Sequence, residues 1–331
     1  MGKNGKGESV MTSMAHYRSL NLFIELAVEI LKNEKLAGEM YGAAEDIKNA
    51  IEKYAWDGEW YIQGYSDSGR KVGSAENEQG SIFLVPQAWA VYSGVASADR
   101  AKKCLKSAEK YLSSKTGFVM CDPPFTKRDD NVGRLTVILP GMYENASTYC
   151  HASAFMIAAY INEANADAAV ELYREVMPDS DGHPSDISGA EPYAFTNQYL
   201  GPQNKRAGVS VSGWITGTAG WMYKNMVNNM LGLQPGYNGL YINPCIPGDW
   251  DSVSVETMLR GYEYNISIKR DETTGKSADA DNAGGAVKKI TVNGESLTSA
   301  FIPYGYKNFN TLEIEIILSN APKTPASIGG V

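Results

Sequence analysis

The sequence predicts a mainly α-helical region followed by a C-terminal β-domain. Three observations carry that prediction. Apolar residues recur at the 3.6-residue helical period through most of the first 233 positions. Beyond Leu233 the pattern changes to short alternating runs such as Tyr264, Ile266 and Ile268. Asn293-Gly294, a strong hairpin-turn dipeptide, falls among those late runs. The expected domains are 1–233 and 234–331. A chain of 331 residues is long enough for two cores, and its 43% apolar and 21% charged content is ordinary for a globular protein.

Taken in order, Ser9–Glu34 carries an apolar stripe through Val10, Met14, Tyr17, Phe23, Ile24 and Ala27. A second helix is expected over Glu39–Tyr54. Trp56–Gly80, rich in glycine, aspartate and aromatics, reads as a long structured loop. Further helices are expected near Ser81–Ser93, Ala98–Leu112, Ala146–Ala164, Ala166–Val176 and Gly213–Leu231. Long loops, 116–143 and 177–212, separate them, and loops of that length in a compact domain are usually functional. Strands are expected at Gly239–Asn243, Ser252–Thr257, Tyr262–Lys269, Lys288–Val292 and Leu312–Leu318. The polar stretch Asp271–Ala286 reads as a loose hairpin tip.

A net charge of −8, with no lysine- or arginine-rich block, excludes an extended nucleic-acid face. It leaves room for a phosphate ligand, because a local nest of N–H groups binds anions within an acidic protein. Cys104, Cys121, Cys150 and Cys245 form no C-x-x-C pair, and no His/Cys cluster has zinc spacing, so buried thiols and no metal are expected. No apolar run approaches the roughly 20 residues of a bilayer span, and the Gly/Lys-rich start lacks a signal-peptide core. The resulting expectation is a cytoplasmic protein without a membrane segment and without a cofactor.

Two segments carry candidate chemistry. Tyr143-Glu-Asn-Ala-Ser-Thr-Tyr-Cys-His151 offers a carboxylate and an imidazole seven residues apart, about two helical turns if both are helical. His151 can donate to a phosphate oxygen, and Glu144 can accept from sugar hydroxyls. The plainer alternative is an acid that stabilises a helix start beside a structural histidine. Thr216-Gly-Thr-Ala-Gly220 has small side chains and open N–H groups that can cradle an anion, or that simply allow close helix packing. Loop aromatics, including Trp56, Trp60, Tyr61, Tyr193, Tyr199 and Trp214, suit the apolar faces of sugar rings. Trp89 and Trp221 read as core. Glu191-Pro-Tyr193 and Gln198 add hydroxyl readers on a long loop. Asp179-Ser-Asp-Gly-His183 lacks calcium-loop spacing and reads as a solvated turn.

These strings resemble, in family order, the disaccharide phosphorylases of glycoside hydrolase family 94, the cellobiose and chitobiose phosphorylases. The resemblance extends to Trp56-Asp-Gly-Glu-Trp-Tyr61, Gly73-Ser-Ala-Glu-Asn-Glu78, Pro86-Gln-Ala-Trp-Ala90, Trp214-Ile-Thr-Gly-Thr-Ala-Gly-Trp221 and Gly239-Leu-Tyr-Ile-Asn-Pro-Cys-Ile-Pro247. It implies the second part of an (α/α)6 barrel followed by a β-sandwich-like domain. It also implies inverting phosphorolysis of a β-linked disaccharide, of chitobiose or cellobiose type, with inorganic phosphate as co-substrate. His151, Thr216 and Gly217 match phosphate-binding positions, and Glu144 matches a carboxylate of the catalytic pocket. Glu191, Tyr193 and Gln198 fall on the sugar side. The Glu-Asn-Ala-Ser-Thr-Tyr-Cys-His string leans toward the chitobiose branch and an N-acetylglucosamine-containing substrate.

The family's general acid is the aspartate of a Gly-Asp-Trp-Asn-Asp-Gly motif, and no such string occurs here. The resemblance therefore implies that the isolated chain has little activity, because proton transfer to the leaving oxygen typically contributes about 10²–10⁴-fold. A complementing N-terminal segment or a homodimer are the partners it implies, with exposed apolar helix faces and poor solubility for the chain alone. Two other readings stand beside it. One is an inverting hydrolase with Glu144 as its base, which would need no anion cradle. The other is a non-catalytic carbohydrate-binding fragment.

Overall fold

The computed structural model describes residues 2–271 and 285–319. They fall into two compact units. The first takes in residues 2–159 and 171–222, and the second 160–170 and 223–319 without 272–284. Among the described residues, no helix is long and apolar enough to cross a membrane.

In the first unit α1 spans Val10–Glu29, and Ser9 Oγ caps it by accepting from Thr12 N at 3.4 Å. Its buried stripe is Val10, Met14, Tyr17 and Ala27. Helix α2, Glu34–Ala50, starts earlier than the apolar pattern suggests, because Asn33 Oδ1 caps Leu36 N at 3.0 Å. It loosens into a π-turn at Ile51–Ala55. Helix α3, Leu84–Tyr92, is buried almost all round, as only a helix inside a larger core can be. Helix α4, Ala98–Leu112, matches its expected limits. Ser97 caps it, and Ala101, Cys104, Leu105, Ala108 and Leu112 form its one buried face. Helix α1 packs on α2 and on α3, and α3 packs on α4. Helices α5, Cys150–Asn162, and α6, Ala166–Val176, complete the longer helices. All four cysteines are free and buried. Burial pushes the Cys121 thiol up to about 12, so it stays protonated and unreactive.

The loop expected at 56–80 is built around two side chains. Asp57 accepts from Lys71 Nζ at 3.0 Å, Ser74 Oγ at 2.9 Å and Ala75 N at 2.8 Å. Gln87 closes the other side with Tyr61 N at 2.9 Å and Tyr61 O at 2.8 Å. Trp60 and Tyr61 are consequently core residues and do not face a sugar. Helix α1 and the residues after it leave Leu22, Phe23, Val28, Ile30 and Leu31 exposed.

The second unit contains a five-stranded sheet. Its spatial order is Ser252–Leu259, Tyr262–Arg270, Thr311–Leu318, Val287–Val292, Glu295–Leu297. Tyr262–Arg270 and Thr311–Leu318 run parallel, and the other pairs are antiparallel. Alternation sends Tyr264, Ile266, Ile268, Leu312, Ile314, Ile316 and Leu318 to one face and Asn265, Ser267, Glu313 and Glu315 to the other. A second sheet, Leu233–Pro235, Gly239–Ile242 and Phe301–Pro303, adds Leu233, Leu240, Ile242 and Ile302 to the same apolar cluster. Each such side chain contributes roughly 1.5–3 kcal/mol when fully buried. Asn293 and Gly294, at φ 49° and 83°, form the expected turn between Val287–Val292 and Glu295–Leu297. The expected hairpin tip, 271–286, lies mostly outside the described residues. The strands that flank it do not pair with each other, since Thr311–Leu318 lies between them.

Candidate active site

A small antiparallel sheet organises the candidate residues; the sequence pattern places Thr148–Tyr149 in a helix and Thr196–Tyr199 in a loop. Its strands are Ser210–Gly213, Thr196–Tyr199 and Thr148–Tyr149, in that order. Val211 pairs with Gln198, and Gln198 with Tyr149. The sheet therefore joins the Glu144–His151 segment, the 191–199 loop and the approach to Thr216. Strand Ser210–Gly213 corrects the expected helix Gly213–Leu231. That helix starts at Thr218 as α8, Thr218–Lys224, and continues as a π-helix over Asn225–Met230. A short helix α7, Ser185–Ser188, lies in the preceding loop.

Glu144 is not helical. It lies in an exposed turn, and α5 begins only at Cys150, so the two-turn spacing to His151 does not apply. Two buried amides hold the turn. Asn145 Oδ1 accepts from Phe125 N at 2.8 Å, and its Nδ2 donates to Phe125 O at 2.9 Å and Ile138 O at 2.7 Å. Gln198 is 0% exposed, and its Oε1 accepts from Tyr143 N. Ser147 Oγ donates to Tyr143 O. Gly201 is required here: a Cβ on it would stand 1.9 Å from Ala146 O.

Four non-glycine residues near the site have positive φ: Tyr143 at 46°, Ala146 at 67°, Ser212 at 61° and Trp214 at 69°. Such conformations each cost of order 1–3 kcal/mol and persist where the surroundings over-determine them. Here the surroundings are the strand pairing and the buried amides.

His151 lies on the first turn of α5, and its ring stands against Gly217. A Cβ built on Gly217 would be 2.9 Å from His151 Cε1, 3.2 Å from Nδ1 and 3.3 Å from Nε2. Phe155, one turn along α5, lies 4.6 Å from the imidazole centroid, and Trp221 lies 6.0 Å from it. His151 Nε2 is buried and has no hydrogen-bond partner among the described residues. Burial holds the imidazole below its ordinary value, so it is neutral at neutral pH. Beside it, Thr218 N donates to Thr216 Oγ1 at 3.1 Å, and the two threonine hydroxyls are 2.6 Å apart. A neutral ring donor, a threonine hydroxyl and a segment without bulky side chains can together receive an oxyanion.

The sugar-side candidates divide. Glu191 is exposed, and its Oε2 lies 3.2 Å from where a Gly213 Cβ would be. Tyr193 is 93% exposed, and Trp214 71%. Gln198 is the inward one: its Oε1 is committed to Tyr143 N, and its buried Nε2 has no partner among the described residues. Tyr199, expected among the sugar-facing aromatics, is buried and stacks on His183 with centroids 3.5 Å apart. His183 itself is 1% exposed and bonded through Nε2 to Thr116 O at 3.1 Å, so only the acidic part of 179–183 is a solvated turn. Sequence reading missed Asn145 and Phe155 as supports. The four-residue spacing of Phe155 from His151 on one helix is the signal that could have found the second.

Residues 2–232 match the family model described as the glycosyl hydrolase 94 superfamily, catalytic domain. The chain is 41% identical over 317 residues to solabiose phosphorylase of Paenibacillus borealis, covering 96% of this chain and 40% of that protein. It is 30% identical over 312 residues to N,N'-diacetylchitobiose phosphorylase of Vibrio proteolyticus, covering 94% and 38%. The chain thus spans about two-fifths of the length of the curated relatives it matches. A solved sialidase structure superposes with a TM-score of 0.56 at 15% identity, over 91% of this chain and 27% of that one, a likeness of fold alone.

Proposed function

The chain belongs to the glycosyl hydrolase 94 superfamily, and we propose that it forms the phosphate-binding side of an inverting disaccharide phosphorylase. The supporting observation is the His151 ring held against Gly217 with a buried Nε2 that no group among the described residues uses. Phosphate would be received by His151, Thr216 and the backbone at Gly217. Its oxygen attacks the anomeric carbon from the face opposite a β-linked leaving group. The new bond from carbon to phosphate oxygen forms as the glycosidic C–O bond breaks, giving an α-sugar 1-phosphate. Phosphate is already an anion, so no protein base is needed. The departing oxygen takes a proton from a carboxylic acid outside residues 1–331. Glu144, exposed on its held turn, reads sugar hydroxyls, as do the exposed Glu191 and Tyr193.

In this reading α1–α6 belong to an (α/α)6 barrel. The contacts of α1 with α3, and of each with its own partner α2 or α4, support that placement. The division into a barrel portion, 1–233, and a β-domain, 234–331, belongs to the same proposal. So do cytoplasmic location, the lack of a resident cofactor, and completion by an upstream segment or a second subunit.

Phosphorolysis of solabiose, cellobiose and N,N'-diacetylchitobiose tests the proposal by release of sugar 1-phosphate. The assay compares this chain with the chain extended upstream through an Asp-Trp-Asn-Asp segment. The solabiose relative's higher identity puts that sugar in the panel beside the chitobiose type. Activity confined to the extended form, and lost with phosphate omitted, is expected. Sugar release without phosphate would refute phosphorolysis in favour of hydrolysis.

A further inference from the structure

The imidazole of His151 belongs to a wider aromatic assembly that the phosphate reading does not use. Phe155 and Trp221 meet edge to face at 4.7 Å, and Trp221 meets Tyr92 at 5.3 Å. Trp89 contacts Tyr92, Phe155 and Trp221 at centroid separations of 5.3, 5.4 and 6.2 Å. The far end is tied down by Arg18. Its guanidinium lies 4.1 Å over the Tyr92 ring and donates to Tyr92 O at 3.0 Å. Trp221 has a second connection. Its backbone N donates to Gly217 O at 3.3 Å, on the segment that faces the imidazole. One residue therefore touches both halves of the proposed anion site, the ring side through its indole and the glycine side through its main chain.

We propose that Trp221 is a positioning residue for phosphate, fixing the His151 imidazole and the Thr216–Gly217 segment relative to each other. The inference rests on the reading of that pair as a phosphate site. Its physical basis is pre-organisation. An imidazole free to rotate would lose rotamer entropy on binding, and a glycine segment free to move would add to the loss. Tilted contacts of the imidazole with Phe155 and Trp221, which themselves meet edge to face, give the ring one orientation, and the backbone bond fixes the distance to the segment it faces. Trp221 never reaches the ligand in this scheme. Its effect is on affinity, and a phenylalanine that keeps an aromatic ring against the imidazole retains most of it.

The chain has three histidines, His16, His151 and His183, so its imidazole Cε1–H NMR spectrum contains three resonances. Single replacement of each histidine by glutamine assigns them. In Trp221→Ala the His151 resonance shifts, because the indole ring current is removed, while the His183 resonance stays in place. The dissociation constant for inorganic phosphate, read by calorimetry on the same sample, rises about tenfold. Trp221→Phe keeps it within about threefold of wild type. An unchanged His151 resonance and unchanged phosphate affinity in Trp221→Ala overturn the inference, as does equal loss in both variants. Should Trp221→Ala fail to fold, Trp221→Leu carries the same comparison. A wild-type chain whose His151 resonance ignores phosphate refutes the phosphate reading instead.

Discussion

Replacing Gly217 by alanine separates ligand binding from stability. Gly217 has no positive φ, so an alanine there meets no backbone strain. What it meets is the imidazole. The new Cβ would lie 2.9 Å from His151 Cε1. Favourable carbon–carbon contact begins at about 3.5–4.0 Å, so the ring must retreat by roughly 0.6–1.1 Å. A displacement of that size removes a well-formed hydrogen bond to a charged ligand, worth about 1.5–3 kcal/mol. Phosphate affinity should therefore fall about tenfold to a hundredfold. Stability should respond differently. Overpacking costs about 1–3 kcal/mol, and the smaller unfolded-state entropy of alanine offsets about 0.4–1 kcal/mol of it. Gly220 provides the control. It lies within α8, and a Cβ on it meets nothing within 4 Å. Gly220→Ala should raise stability by about 1 kcal/mol and leave phosphate binding alone. Calorimetric titration with phosphate and thermal melts of both variants decide the matter. Wild-type affinity in Gly217→Ala would refute the placement of His151 at the phosphate.

Two further outcomes are expected. Asn145→Ala leaves Phe125 N, Phe125 O and Ile138 O without their buried partner and should cost about 3 kcal/mol in urea denaturation; a loss below about 1 kcal/mol would show that the Glu144 turn does not depend on it. Burial holds both His151 and His183 below their ordinary value, so the unfolded chain takes up protons first as pH falls below about 6.5. Stability should be full above that pH and decline as pH falls toward the lower folded-state values. His183→Gln should flatten the decline in melting temperature between about pH 7 and 5. An identical slope in that variant would remove His183 from the account.

Sequence alone determined the elements that local physics controls. Helix α4 and helix α6 have their expected limits, because a single amphipathic stripe with a serine cap or an acidic first turn needs no outside help. The longer strands of the second unit were legible from two-residue alternation, and the turn at Asn293-Gly294 from its dipeptide, whereas the three-residue strands Leu233–Pro235, Glu295–Leu297 and Phe301–Pro303 were not. The residues of the two chemical motifs could be named from their types and order. Tertiary structure decided how those residues stand. The sheet of Thr148–Tyr149, Thr196–Tyr199 and Ser210–Gly213 unites segments far apart in the chain, and strands of two to four residues are too short to leave a period. That pairing takes Glu144 out of the helix and commits the Gln198 carbonyl oxygen to Tyr143 N. The seat of His151 against Gly217 depends on Phe155 and Trp221, whose spacing along the chain reads equally well as plain core. A side chain's chemistry is a property of its residue, whereas its neighbours, burial and free hydrogen-bonding capacity arise only when distant segments pack together.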